Sequence, residues 1–128
     1  MPLRYTIDVA GRLITIVGEY ADANEWRVVL DQLLKDPRRQ PGFAFLRDLR
    51  GATTPVSAAT VVDVMDVIRR FWPLLQPSRG AILTPLAFDS AAMTAFAIAD
   101  EEHLPLKLFG SHDDAVEWLR RGEEEPAR

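Results

Sequence analysis

Two short, nearly unbroken apolar runs constrain this chain most: "GFAFLRDL" at 42–49 and "GAILT" at 80–84. A strand with one wet face alternates apolar and polar residues. A run without that alternation belongs in a sheet covered on both faces, where parallel strands are found. "GFAFLRDL" therefore predicts a central strand, and "GAILT" a second buried one. Between them the apolar period lengthens: Val61, Val64, Met65, Ile68, Phe71, Trp72 and Leu75 share one helical face. Strand, helix, strand in that order predicts a parallel pair joined by a crossover.

The flanks extend the pattern. In "RYTIDVAGRLITIVGEY", Tyr5, Ile7 and Val9 alternate with Arg4, Thr6 and Asp8, and the run resumes at Leu13 to Val17 after Ala10-Gly11-Arg12, which predicts a hairpin. Trp26, Val29, Leu30, Leu33 and Leu34 make a helical stripe. Asp22 or Asn24 can cap it, and Asp36-Pro37 ends it because a residue before proline is driven out of helical backbone. Pro73 predicts a bent or finished last turn in the second helix. Asp89 or Ser90 opens an alanine-rich helix reaching about Glu102, "LPLKLF" is a last short strand, and Ser111 with Asp114 resembles a capping box before a helix that turns Ala115, Trp118 and Leu119 inward. The order β-β-α-β-α-β-α-β-α predicts a single α/β layered domain over residues 1–121. Its sheet is mixed and mostly parallel, of about five strands entered by a β-hairpin, with about four helices. Residues 122–128 are expected to be a frayed charged tail.

Composition narrows the function. With 128 residues and no cysteine, the chain is long enough for a core without metals or disulfides and offers neither thiolate ligand nor thiol nucleophile. A net charge of −4, with scattered arginine pairs, argues against a nucleic-acid partner. No apolar run approaches the ~20 residues of a membrane span, and no signal-peptide h-region stands at the N-terminus, so a cytoplasmic, unprocessed protein is expected. Neither His103 nor His112 falls in a hydrolase or zinc spacing, so no catalytic residue, metal or cofactor is expected.

In a parallel sheet, functional loops leave the carboxyl ends of the strands. Here these loops are "VGEYADAN", "DLRGATTPVS", "TPLAFDS" and "FGSHD", each feeding a helix N-terminus, which favours anions. The second is richest, with Asp48, Arg50, Gly51, Thr53, Thr54 and Ser57. Ser57 is placed to be an N-cap.

That unit, "DLRGATTPVSAAT" behind a strand, resembles the STAS domain, the anti-sigma-factor antagonist fold, in which a strand ending D-L-S-G-hydrophobic runs into D-S-S-G-L at a helix start. Asp48, Leu49 and Gly51 match the strand end, and Ser57 falls on the serine that antagonists of that family have phosphorylated. "FGSHDDAVEWL" is similar to the last helix of small SpoIIAA-like proteins. Val56, Ala58 and Ala59 depart from the family pattern, which has aspartate, serine and glycine there. The resemblance implies a binding and regulatory module acting through a protein partner, with Asp48, Arg50, Thr53, Thr54 and Ser57 as its docking or phospho-regulated turn.

Two other constellations compete. Folds of this kind are grouped with lipid-binding domains, and Phe88, Met93 and Phe96 are candidates to line a pocket for a small apolar ligand. Asp48, Thr84 and Lys107 imitate the trio of a receiver-type phosphoacceptor, with Glu19 and Asp22 as magnesium ligands, but no proline follows the lysine and the chain enters by a hairpin. Lys107 reads more simply as an edge-strand charge. Trp72, Pro73, Leu74 and Leu75 carry more apolar surface than one helical face buries, which marks the second helix as a candidate homodimer or partner surface.

Overall fold

The computed structural model describes residues 2–19, 21–52, 56–84 and 90–124. Its elements are β1 (Arg4–Asp8), β2 (Leu13–Val17), α1 (Ala23–Lys35), β3 (Ala44–Asp48), α2 (Ala58–Leu75), β4 (Gly80–Leu83), α3 (Ser90–Glu101), β5 (Leu106–Phe109) and α4 (His112–Glu124). The five strands form one sheet in chain order, β1-β2-β3-β4-β5. β1 and β2 are an antiparallel hairpin, and β2 to β5 are mutually parallel. The α/β architecture expected from the apolar runs is the one observed, with β3 at the centre.

Register decides which side chains share a face. Ile14, Phe45, Gly80 and Leu106 form one row across the sheet, and Ile16, Arg47, Ile82 and Leu108 the next. These rows face α1, α2 and α3: Ile14 and Ile16 pack with Trp26, Leu30 and Leu33, while Ile82 packs with Val61, Met65 and the alanines of α3. The alternate residues Leu46, Ala81 and Leu83 face the other way and are covered by Ala115 and Leu119 of α4. Helices thus cover both sides of the central strands, which is why "GFAFLRDL" and "GAILT" carry no alternation. Leu33, Leu46, Leu83 and Leu119 are almost fully buried, each contributing about 2 kcal/mol of transfer free energy.

Local chemistry sets the boundaries. Asp22, not Asn24, caps α1 by accepting from the Glu25 N–H at 2.9 Å, and Asp36 ends it in extended backbone. Asp36 also accepts from Tyr5 Oη at 2.9 Å and from the Arg38 guanidinium at 3.0 and 2.8 Å, a clasp that ties the hairpin to the end of α1 and holds the Asp36 carboxyl far below the usual carboxylate range. Arg39 donates to the carbonyls of Leu33 and Leu75, joining the ends of α1 and α2. Gly18, at φ +123°, lies beside the Pro2 carbonyl, where a Cβ would come to 2.5 Å. Only glycine fits there.

Three expectations need adjustment. Pro73 does not end α2, which continues to Leu75 and stops at Gln76 in left-handed backbone. Val9 is not a strand residue but an exposed part of the hairpin turn. α4 runs on to Glu124, into the stretch expected to be frayed, while residues 125–128 fall outside the described residues.

Candidate functional site

Because β2 to β5 are parallel, their carboxyl ends lie along one edge of the sheet. Of the β3–α2 connection on that edge, residues 49–52 and 56–57 are described, and its first residues are tied back to the sheet. Leu49 is buried and donates its N–H to the Leu83 carbonyl at 2.8 Å, so the turn is pinned to β4 immediately after Asp48. Arg50 then folds back: its Nε and Nη2 donate to Asp48 Oδ1 and Oδ2 at 3.1 and 2.9 Å, and its backbone N–H donates to Oδ1 at 3.0 Å. This bidentate clasp holds the Asp48 carboxyl below its ordinary range, helped by His112 at the start of α4. Ser57 is exposed and caps α2, its Oγ accepting from the Thr60 N–H at 3.2 Å and lying 3.0 Å from Thr60 Oγ1. Asp48, Arg50 and Ser57 therefore share one turn, while Thr53 and Thr54 lie outside the described residues.

A second feature lies between the sheet and its three-helix layer. A cavity of about 110 Å³ runs beneath α2, from Arg47, Val56 and Thr60 at the strand-carboxyl end to Trp72 and Gly80 near the other. On this side α3 presents Ala91, Ala92 and Ala95, side chains too short to fill the space between helix and sheet. Its lining is almost wholly apolar, and Arg47 is the one charged side chain in it among the described residues. The Arg47 guanidinium is held by the carbonyls of Gly18 and Glu19 at 3.1 and 3.0 Å and lies 5.4 Å from the centre of the Trp26 ring.

The residues picked from sequence as pocket-forming are elsewhere. Met93 and Phe96 sit on the outward side of α3, 48% and 36% exposed, and the cavity is lined instead by Ala91, Ala92 and Ala95 of the same helix. Phe88 lies outside the described residues. Sequence reading passed over Arg47 because it stands inside an apolar run. The signal was its spacing of two from Phe45, which puts it on the helix-facing side of β3.

The receiver trio is not gathered at one point. Asp48 is engaged by Arg50, and Thr84 is buried past the end of β4. Lys107 lies on β5, an edge strand of the sheet, paired with Ala81, with its Nζ 5.5 Å from the centre of the Trp118 ring, which Arg79 also approaches at 4.7 Å. Among the described residues no three His, Asp or Glu side chains come together as a metal set. His103 is exposed at the end of α3, and His112 opens α4. Leu75 is buried and Trp72 half-buried, while Pro73 and Leu74 are exposed. No helix among the described residues is long and apolar enough to cross a membrane.

Comparison with known proteins finds no matching family model, no matching curated protein and no matching solved structure. The site is therefore read from its own geometry.

Proposed function

We propose that this chain is a STAS-like binding module that works without chemistry of its own, docking a protein partner on the β3–α2 turn and regulated there by phosphorylation of Ser57. The observation that supports this most is Arg50 locked on Asp48 a few residues ahead of an accessible serine that caps a helix N-terminus. A phosphate on Ser57 adds up to about two negative charges, which the helix N-terminus stabilises and an acidic partner surface repels. The test is affinity capture with the unmodified protein, Ser57→Ala, Ser57→Asp and Arg50→Ala. The reading requires Ser57→Asp to change the partner set and Arg50→Ala to deplete it. Identical sets from all four proteins would remove it.

The cavity supports a second reading, a carrier for a small apolar ligand held between the sheet and α2. Native mass spectrometry of freshly purified protein would show a retained mass. Failure to take up any apolar molecule on titration would count against it.

A further inference from the structure

We propose that β1, one of the two edge strands of the sheet, docks a second copy of this chain, which adds its own β1 antiparallel about a two-fold axis at Thr6. The register shows which main-chain groups that edge leaves open. The Ala44 N–H donates to the Arg12 carbonyl at 2.9 Å, so the Arg12 carbonyl points at β3. Alternation along β2 then turns the main chain of Ile14 and Ile16 towards β3, and that of Leu13, Thr15 and Val17 towards β1. Their partners Asp8, Thr6 and Arg4 are thereby bonded within the hairpin, and the N–H and C=O groups of Tyr5 and Ile7 face outwards. Such a row of open donors and acceptors is a template for another strand.

The side chains select which strand. An antiparallel pair centred on Thr6 sets Tyr5 against Ile7 of the second copy, and Ile7 against its Tyr5, so the outward main-chain groups bond to one another. The same register sets Arg4 against Asp8 of the second copy and Asp8 against its Arg4, with Thr6 facing Thr6 at the axis. "RYTID" is thus complementary to itself: opposite charges, an aromatic on a β-branched residue and threonine on threonine are cross-strand pairs that stabilise a sheet. Arg4 and Asp8 fall at the positions without main-chain bonds across the seam, where facing side chains come closest. Both are exposed; Asp8 Oδ1 accepts from the Gly11 N–H at 3.0 Å, and Arg4 makes no ion pair among the described residues. A slip of two residues, the smallest that keeps the outward groups bonded, breaks both charge pairs.

The other edge behaves differently. The Gly80 and Thr84 N–H groups donate to the Pro105 and Phe109 carbonyls at 2.9 and 3.0 Å, so Leu106 and Leu108 carry the outward groups of β5. The centred antiparallel register there sets Lys107 against Lys107 of a second copy, two like charges at closest approach. One edge repels its own copy and the other matches it. A two-fold axis closes on itself, so pairing stops at two chains and the joined sheet ends in β5 on both sides.

Sedimentation equilibrium of the full chain over a concentration series is expected to show a mass rising from 14.4 kDa towards twice that value. Arg4→Asp and Asp8→Arg each put like charges in both pairs and should weaken self-association at least about ten-fold. The double variant, and a mixture of the two single variants, restore opposite charges across the seam and should dimerise again. Thr6→Cys gives the chain its only cysteine, and facing Cα atoms about 4.5 Å apart permit a disulfide across the axis. Mild oxidation should therefore convert Thr6→Cys, and not Asp63→Cys on the exposed side of α2, into a covalent dimer. The mass of a single chain at every concentration overturns the proposal. So does a dimer that ignores the charge reversals, or one that Thr6→Cys fails to cross-link. The cross-link needs no change of charge, so a poorly folded Asp8→Arg, whose carboxylate also braces the hairpin turn, leaves the test decisive.

Discussion

The ring edge of Trp72, near the end of α2, occupies the space above Gly80 at the start of β4: a Cβ on Gly80 would come 3.2 Å from Trp72 Cη2 and 2.7 Å from Leu106 Cδ1. The glycine is what lets an indole lie across the sheet there. Leu106 can swing its terminal methyl away, but the rigid ring cannot yield as easily. Gly80→Ala is expected to cost about 1 kcal/mol and Gly80→Val about 3 kcal/mol, the usual range for overpacking a filled site. Urea denaturation gives the stabilities. An unchanged midpoint in Gly80→Val would show that Trp72 is not seated as described.

Ser57 is a cap whatever else it does. Ser57→Ala removes the acceptor for the Thr60 N–H and should destabilise the protein by about 1 kcal/mol, whereas Ser57→Asp keeps an acceptor and should remain within a few tenths. The same denaturation curves decide this. Ser57→Ala matching the unmodified protein would mean that the hydroxyl does not cap α2 in solution.

Asp48 imposes a pH dependence of known sign. Arg50 holds its folded-state carboxyl below the ordinary value, so the stabilisation is complete above the unfolded-state value, about pH 4, and is lost as pH falls through the depressed folded-state value below it. The carboxylate is partly exposed, which limits the contribution to about 1 kcal/mol or less. Asp48→Asn should be less stable than the unmodified protein at pH 7, and the gap should close as pH falls below about 4. A gap that stays constant across that range would show that the ion pair contributes nothing.

Gln76 ends α2 in left-handed backbone, φ 49° and ψ 55°, a conformation that costs a side-chain-bearing residue about 1 kcal/mol. Gln76→Gly relieves this at an exposed position and should raise the thermal midpoint by several degrees, the shift that about 1 kcal/mol produces in a domain of this size. A lowered midpoint would place the end of the helix elsewhere.

Most of the architecture was legible because two periods were clean. The stripe from Val61 to Leu75 and the alternation in "RYTID" each admit one element, and the buried runs admit one place in the sheet. Pro73 left a bent or a finished last turn open, and the helix runs through it because a proline two residues from the last helical residue removes a backbone bond that the last turn can do without while Trp72 and Leu75 still gain burial. Val67 shows the limit of a single-stripe reading. It lies off the main face of α2, yet is buried in the cluster containing Trp26, Val29 and Leu33, because α2 sits between two other helices. The rim residues were readable from their loop. The cavity was not, since a void depends on the side chains that fail to meet in three dimensions, and the alanines of α3 look in sequence like close packing.

Strand order in the sheet equals strand order in the chain. During synthesis each new strand therefore emerges beside a neighbour already made, and no strand has to wait for a later one to be inserted between it and its partner. The helix-facing side can be assembled in the direction of translation. The opposite side cannot: Leu46 and Leu83 stay uncovered until Ala115 and Leu119 leave the ribosome, so α4 is the closing piece of the nascent chain.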